Sequence, residues 1–233
     1  MISVVIPAAN AAAHLGPTLE SLVAAAVEGT VGEVIIANAD GDSETARIAE
    51  AWGARVVDCE CGRGRALRAG AEVARKPWLL FLHADTQLAP GWDAEAEGFI
   101  LRGDGRAAAF RFKLADEGVW PRLLEAGVAL RCRLFALPYG DQGLLISRKL
   151  YDELGGYKPI PIMEDVDIVR RIGRKRLTLL RAAALTSAVR YRRDGYMQRV
   201  ARNFVCLALH ASGVAPEKIS AFYERPGKPV PPR

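Results

Sequence analysis

The chain is poor in the residues that build stapled folds or metal knuckles. It has four cysteines in 233 residues, Cys59, Cys61, Cys132 and Cys206. Cys59 and Cys61 stand too close for a C-x₂-C zinc or redox motif, and no second pair lies at a useful spacing. A disulfide scaffold and a zinc ribbon are therefore excluded, and a reducing, cytoplasmic setting is the natural expectation. Long apolar runs are also missing. The longest uncharged candidate, Asn203–Pro216, has 14 residues, short of the roughly 20 a membrane-spanning helix needs. The N-terminus has no basic segment before its first apolar run, so it does not read as a signal peptide. Aromatic residues make up only 7% and form no interleaved platform. With no helix-turn-helix or zinc spacing either, nucleic-acid binding is excluded despite a pI near 9.2. There is no G-x-G-x-x-G after the first strand and no G-K-[ST], which excludes a dinucleotide fingerprint and a P-loop.

What is present describes a folded α/β protein. Half of the residues are hydrophobic and 25% are charged, while 22 glycines and 13 prolines follow no repeat. Strands are expected at Ile2–Pro7, Glu33–Ala37, Ala54–Asp58 and Trp78–Leu82, separated by helices around Leu15–Ala26, Glu44–Trp52 and Arg65–Arg75. Unalternating apolar strands separated by helices predict a mostly parallel sheet covered on both faces. Further on, a helix at Trp92–Arg102 precedes strands at Ala107–Lys113 and Gly143–Ser147. Gly118–Leu137 reads as a basic amphipathic helix or helix pair, and helices are expected at Val166–Ile172 and Tyr196–Leu209. No linker is evident, so residues 1–233 are expected to form one domain with C-terminal helices.

In an open parallel sheet, ligands gather beyond the C-terminal ends of the strands. Three polar clusters lie there: Ala8–Asn10, Asn38–Asp42 and His83–Thr86. Each has a plain structural reading, as an Asx-turn, a helix cap or a satisfied histidine. Their recurrence at equivalent strand ends favours a site. Gly62-Arg63-Gly64-Arg65 follows the third strand, and its guanidinium forks match phosphate oxygens, although a solvated charge cluster would read the same way.

The ordered stretches SVVIPAAN, GRGRALRAGA, WLLFLHADTQLAPGW, YGDQGLLISRKLYDELGGY and MEDVDIVRRIGRK resemble the family 2 glycosyltransferases of GT-A fold. More narrowly, they resemble the group named radical-SAM/selenodomain-associated transferases. The resemblance implies an inverting transfer from a nucleotide-diphosphate sugar to an acceptor hydroxyl. It implies a donor-binding half over residues 1–115 and an acceptor half over 116–233. By position, Pro7, Ala8, Asn10, Asn38 and Asp40 would border the base and ribose. Arg63, Arg65 and Arg68 would flank the diphosphate. His83-Ala84-Asp85 stands in place of the family's D-x-D, with Asp85 and His83 as ligands of Mn²⁺ or Mg²⁺ that neutralises the leaving diphosphate. Asp165 would be the general base and Glu164 its neighbour. Asp141, Gln142 and Gly143 would face the acceptor, the glycine permitting close approach. The alternatives are a non-catalytic nucleotide- or membrane-surface-binding relative and a sugar-phosphate nucleotidyltransferase. The latter normally carries a glycine-rich basic loop after strand one, which AANAAAHLG is not.

The net charge of +5 is uneven. Residues 147–203 carry 14 Lys/Arg against six Asp/Glu, an excess of +8 that leaves −3 elsewhere. A solvated basic face accounts for part of this. A face resting on the inner, anionic surface of a membrane, with a lipid-linked acceptor, is a second expectation. Packing of the same apolar helices on a second subunit, as a homodimer, is a third.

Overall fold

The computed structural model describes residues 1–103 and 105–223; the last ten residues of the expected single unit lie outside the described residues. In chain order the strands are β1 (Ile2–Ala8), β2 (Val31–Asn38), β3 (Arg55–Asp58), β4 (Trp78–Phe81), β5 (Thr86–Leu88), β6 (Ala107–Ala115), β7 (Leu144–Ser147) and β8 (Leu177–Ser187). They form one eight-stranded sheet in the order β3-β2-β1-β4-β7-β6-β8-β5. The quartet β3-β2-β1-β4 is parallel throughout. Beyond β4 the sheet becomes mixed: β7 runs antiparallel to both β4 and β6, β8 runs parallel to β6, and β5 closes the edge antiparallel to β8.

The first helices are α1 (Ala12–Glu20), α2 (Val23–Val27), α3 (Ser43–Ala51), α4 (Arg63–Val73) and α5 (Trp92–Ile100). The later ones are α6 (Val119–Phe135), α7 (Arg148–Glu153), α8 (Glu164–Ile172), α9 (Val189–Asp194), α10 (Tyr196–Ala211) and α11 (Pro216–Tyr223). Alternate residues of the central strands serve opposite layers. Val4, Ile6 and Leu80 pack with Leu15, Leu19, Trp92 and Phe99 on one face. Val5, Leu79 and Phe81 pack with Leu67, Leu150 and Ile168 on the other. Burial on both faces is why these strands are apolar without alternation.

Several elements differ from their sequence expectation. The stretch Gly118–Leu137 is a single helix, α6, not a pair. Helix α8 begins at Glu164, so the acidic pair lies inside its first turn, where carboxylates complement the helix dipole. Strand β8, LTLLRAAALTS, carries no alternation that marks it as a strand. It forms because β6 pairs with it along both of their lengths, with an irregularity between Ala109 and Arg111. Tertiary pairing overrides the helix preference of its three consecutive alanines.

The basic excess has a structural use. Arg148 donates to the carbonyls of Ala71 and Ala74 at the end of α4. Arg174 does the same at Arg133 and Leu134 of α6, and Arg176 at Arg171 and Ile172 of α8. Cations at helix C-termini satisfy orphan carbonyls and oppose the negative end of the dipole. Asp194, only 2% exposed, receives Arg193, Arg199 and Arg202 and so ties α9 to α10. All four cysteines are free. Among the described residues, no helix is long and apolar enough to cross a membrane.

Candidate active site

Two cavities open at the C-terminal ends of β1, β2 and β4. The larger, about 480 Å³, is lined by Pro7, Ala8, Asn10, Ala39, Gly62, Arg63, His83, Ala84, Asp85 and Arg190, among others. The smaller, about 100 Å³, lies beside it and is lined by Tyr139, Gly140, Asp141, Asp165, Tyr191, Asn203 and Tyr223, together with Arg63, His83, Asp85 and Arg190. Those last four side chains form the shared wall. One cation from α4, one from α9, a carboxylate and an imidazole therefore stand where the two spaces meet.

Each wall residue is delivered by a local feature. Helix α4 opens after Gly62 without a side-chain cap, so its positive dipole end lies at the cavity that Gly62 and Arg63 line. Gly64 allows this turn to press on the loop before α8. Its N–H donates to the Ile160 carbonyl at 3.2 Å, and a Cβ there would meet the Lys158 carbonyl at 2.2 Å. Asp85 sits between β4 and β5, with its carbonyl accepting from the Ser187 N–H at the end of β8. Met163 takes a left-handed φ of 66° directly before α8, a conformation that costs a non-glycine residue about 1–2 kcal/mol. The turn sends the two neighbouring acids to different places.

Glu164 goes into the core. It is 0% exposed, and neither carboxylate oxygen accepts a hydrogen bond. Among the described residues its ion-pair partner is Arg63, whose Nη1 lies 3.5 Å away. Burial pushes its pKa up to about 7, against the pull of Arg63 and with the help of Asp165. Burial works against the Arg63 charge, but Glu164, Tyr223, Asp165 and Asp85 outweigh it and raise its pKa, so it stays protonated. Asp165 instead lines the smaller cavity. Its Oδ2 accepts from the Gly140 N–H at 2.7 Å and its Oδ1 from the Val166 N–H at 2.7 Å.

His83 is held neutral. Burial and the nearby Arg63 take its pKa down to about 4, against Asp85 and Asp165. Its ring rests on Gly140, where an added Cβ would stand 2.6 Å from His83 Nε2 and 3.4 Å from Asp165 Oδ2. Asp141 also lines the smaller cavity. Its Oδ1 is buried without a partner among the described residues, and burial lifts its pKa to about 6. An unpaired buried acceptor is costly and points to a missing donor.

The structure does not bring every expected residue to these cavities. Asn38 is 1% exposed and lies behind the wall, its Nδ2 donating to Asp58 Oδ1 at 3.1 Å; Ala39 lines the cavity at that strand end. Asp40 acts through Asn10, whose N–H it accepts at 2.7 Å. Arg65 pairs with Glu60 and Arg68 with Glu72 in exposed ion pairs, because helix periodicity turns them away from the Arg63 face. Gln142 is 2% exposed and internally satisfied, donating to the Phe110 carbonyl and accepting from Arg131 and Cys132. Gly143, expected to permit close approach of the acceptor, has a φ of +63°, but its close neighbours are Phe110 and the Phe81 carbonyl. The glycine against the site is Gly140. Sequence reasoning also passed over Arg190, which sits in a run of arginines with nothing local to distinguish it, and the pocket residues Tyr139, Tyr191, Asn203 and Tyr223.

The family model for glycosyl transferase family 2 matches residues 3–155. No curated protein matches the chain in sequence. Among solved structures, glucosyl-3-phosphoglycerate synthase from Mycobacterium tuberculosis in complex with Mg²⁺ and uridine diphosphate is 22% identical with a TM-score of 0.64, covering 92% of this chain and 80% of that one. The same enzyme with Mn²⁺, uridine-diphosphate-glucose and phosphoglyceric acid gives a TM-score of 0.62 at 22% identity, with the same coverage. Mannosyl-3-phosphoglycerate synthase from Rubrobacter xylanophilus is 18% identical with a TM-score of 0.58, covering 91% and 75%. Identities this low show the fold, which is the GT-A nucleotide-sugar transferase fold. With the family match running from β1 through α7, more than half of its length, the chain belongs to glycosyl transferase family 2.

Proposed function

We propose that the protein is a metal-dependent, inverting glycosyltransferase that moves a sugar from a nucleoside-diphosphate sugar to an acceptor hydroxyl. The observation that carries this reading is the wall shared by the two cavities: Arg63, His83, Asp85 and Arg190 on both sides, and Asp165 on the smaller side alone. The larger cavity takes the nucleotide and the smaller one the acceptor. This divides the labour between the donor half, 1–115, and the acceptor half, 116–233.

The diphosphate would lie at the uncapped start of α4, between the Arg63 and Arg190 guanidinium groups. Mn²⁺ or Mg²⁺ fits beside it. Among the described residues no three acidic, histidine or cysteine side chains cluster as a complete cage. A carboxylate plus a neutral imidazole instead suits a cation that takes its remaining ligands from substrate phosphates and water. Asp85 and His83 would hold it, and the cation would neutralise charge growing on the leaving diphosphate. Asp165 takes the acceptor's hydroxyl proton. Its bonds from Gly140 and Val166 fix its orientation, and Glu164 holds Arg63 in place from behind. Asp141, with its unpaired oxygen, is available to an acceptor hydroxyl.

The test is a screen of UDP- and GDP-sugars for Mn²⁺-dependent transfer or hydrolysis, with product anomer read by NMR. Asp85→Ala is expected to abolish the metal dependence, with the fold retained by circular dichroism. Absence of UDP or GDP binding in calorimetry, even with Mn²⁺ present, would overturn the proposal.

A further inference from the structure

A third cavity adjoins the smaller one and has no role in the reading above. It is a trough of about 1000 Å³ between α6 and α10, at the upper end of the ~300–1,000 Å³ typical of small-molecule sites. Its walls are mostly apolar, with Arg131, Arg170 and Arg174 among their charged residues. Trp120, Leu130 and Leu134 of α6 face Met197 and Phe204 of α10, and these five side chains are 52–71% exposed. Contiguous exposed apolar surface of this kind marks a binding site on a water-soluble domain. The trough does not end blindly. Tyr139, Asp141, Tyr191 and Asn203 line both it and the cavity that holds Asp165. An apolar channel thus runs into a polar head space containing the general base.

We infer that the acceptor is an amphiphile, with a hydroxyl-bearing head beside Asp165 and Asp141 and a single hydrocarbon chain lying in the trough between α6 and α10. The inference rests on the proposed transfer reaction and adds the class of acceptor. Shape decides between occupants. A helix from a second copy filling the trough would lie across Tyr139 and Asn203 and close the acceptor entrance. A flat surface would touch the rims of α6 and α10 and leave the concave floor uncovered. A flexible chain fills the floor and leaves the head in the polar space. Asp141 fits the junction, since its buried Oδ1 has no partner among the described residues and a hydroxyl supplies one.

The test uses butyl-, hexyl-, octyl- and decylglycerol below their micelle-forming concentrations, titrated against the protein with binding followed by calorimetry. Each added methylene is expected to tighten binding by up to about fourfold. Leu134→Asp with Phe204→Asp, both at exposed positions, should weaken decylglycerol at least tenfold and leave UDP–Mn²⁺ binding unchanged. Flat affinity across the series, or equal binding by the double variant, would overturn the inference. So would light scattering that shows a dimer which the double variant dissociates and which binds no decylglycerol. Loss of UDP–Mn²⁺ binding in the parent protein, by contrast, would break the transferase reading, and the alkylglycerol series tells the two failures apart.

Discussion

The two sides of the sheet build their share of the site by different means. On the parallel side, β3-β2-β1-β4, each strand ends at the cavity and its last or next few residues become wall: Pro7 and Ala8 at the end of β1, Ala39 after β2, Gly62 after β3, His83 to Asp85 after β4. On the mixed side, β7, β6, β8 and β5 run in both directions. Its reactive groups come from what lies between strands: Gly140 before β7, Asp165 in the first turn of α8, and Arg190 in α9 beyond β8. A parallel sheet puts a site at one edge by topology alone. A mixed sheet needs individually shaped turns, such as the left-handed Met163 and the close packing of Gly140 on His83.

If the mixed side carries the chemistry through Asp165, the variants that disturb this carboxylate should lose rate while donor binding survives. Asp165→Asn is the largest such effect, with turnover falling about 10²–10⁴-fold and UDP–Mn²⁺ affinity by calorimetry within twofold of the parent. Gly140→Ala follows. Its methyl would displace His83 or Asp165, and a misplacement of about 1 Å costs on the order of 10²-fold in rate. A fully active Gly140→Ala protein would sever the link drawn between the two sides at this glycine.

Glu164 sets a pH dependence of stability. Its ordinary pKa of 4.5 is raised to about 7 in the fold, so the folded protein keeps a proton that the unfolded chain releases between those values. Native stability therefore falls as pH rises through that window, by up to about 3 kcal/mol from this group. In Glu164→Gln that dependence disappears. Thermal melts from pH 4 to 8 should show the variant gaining on the parent as pH rises, whatever constant offset the lost Arg63 partner adds. Parallel curves would show that the burial of this acid does not control its titration.

The smallest effects separate the arginines. Arg190→Ala is expected to raise the donor KM about tenfold, the scale of one charge-assisted contact. Arg68→Ala, whose partner Glu72 is itself exposed, should leave both KM and stability within about 0.5 kcal/mol of the parent. Equal losses in the two variants would return Arg68 to the diphosphate and remove the distinction.

The legibility of these features in the sequence follows the same division. Strands β1, β2 and β4 announce themselves because burial in the sheet demands apolar runs, and the clusters after them fall at a predictable edge. Asp165 and Glu164 stand out as neighbouring acids, and Asp85 by its place after WLLFL. Their different fates do not show, because nothing in Met163-Glu164-Asp165 states that the backbone will turn left-handed and bury the first acid. Arg190 is one of several arginines, and only its folded place on the wall beside His83 and Asp85 selects it. Likewise, the excess of +8 over residues 147–203 is a sequence fact. That many of those guanidinium groups meet helix carbonyls and buried carboxylates is a tertiary one.

Hydrophobic period and residue chemistry are local properties, so the amino-acid sequence alone specified an α/β protein with a ligand site at its strand ends; the carboxylates' part in transfer chemistry followed from the resemblance of its ordered motifs to family 2 glycosyltransferases. The tertiary structure decided which of two adjacent acids faces the cavity, which arginines join the shared wall, and that an apolar trough runs into it. Those outcomes depend on distances between segments far apart in the chain, and no local pattern encodes them.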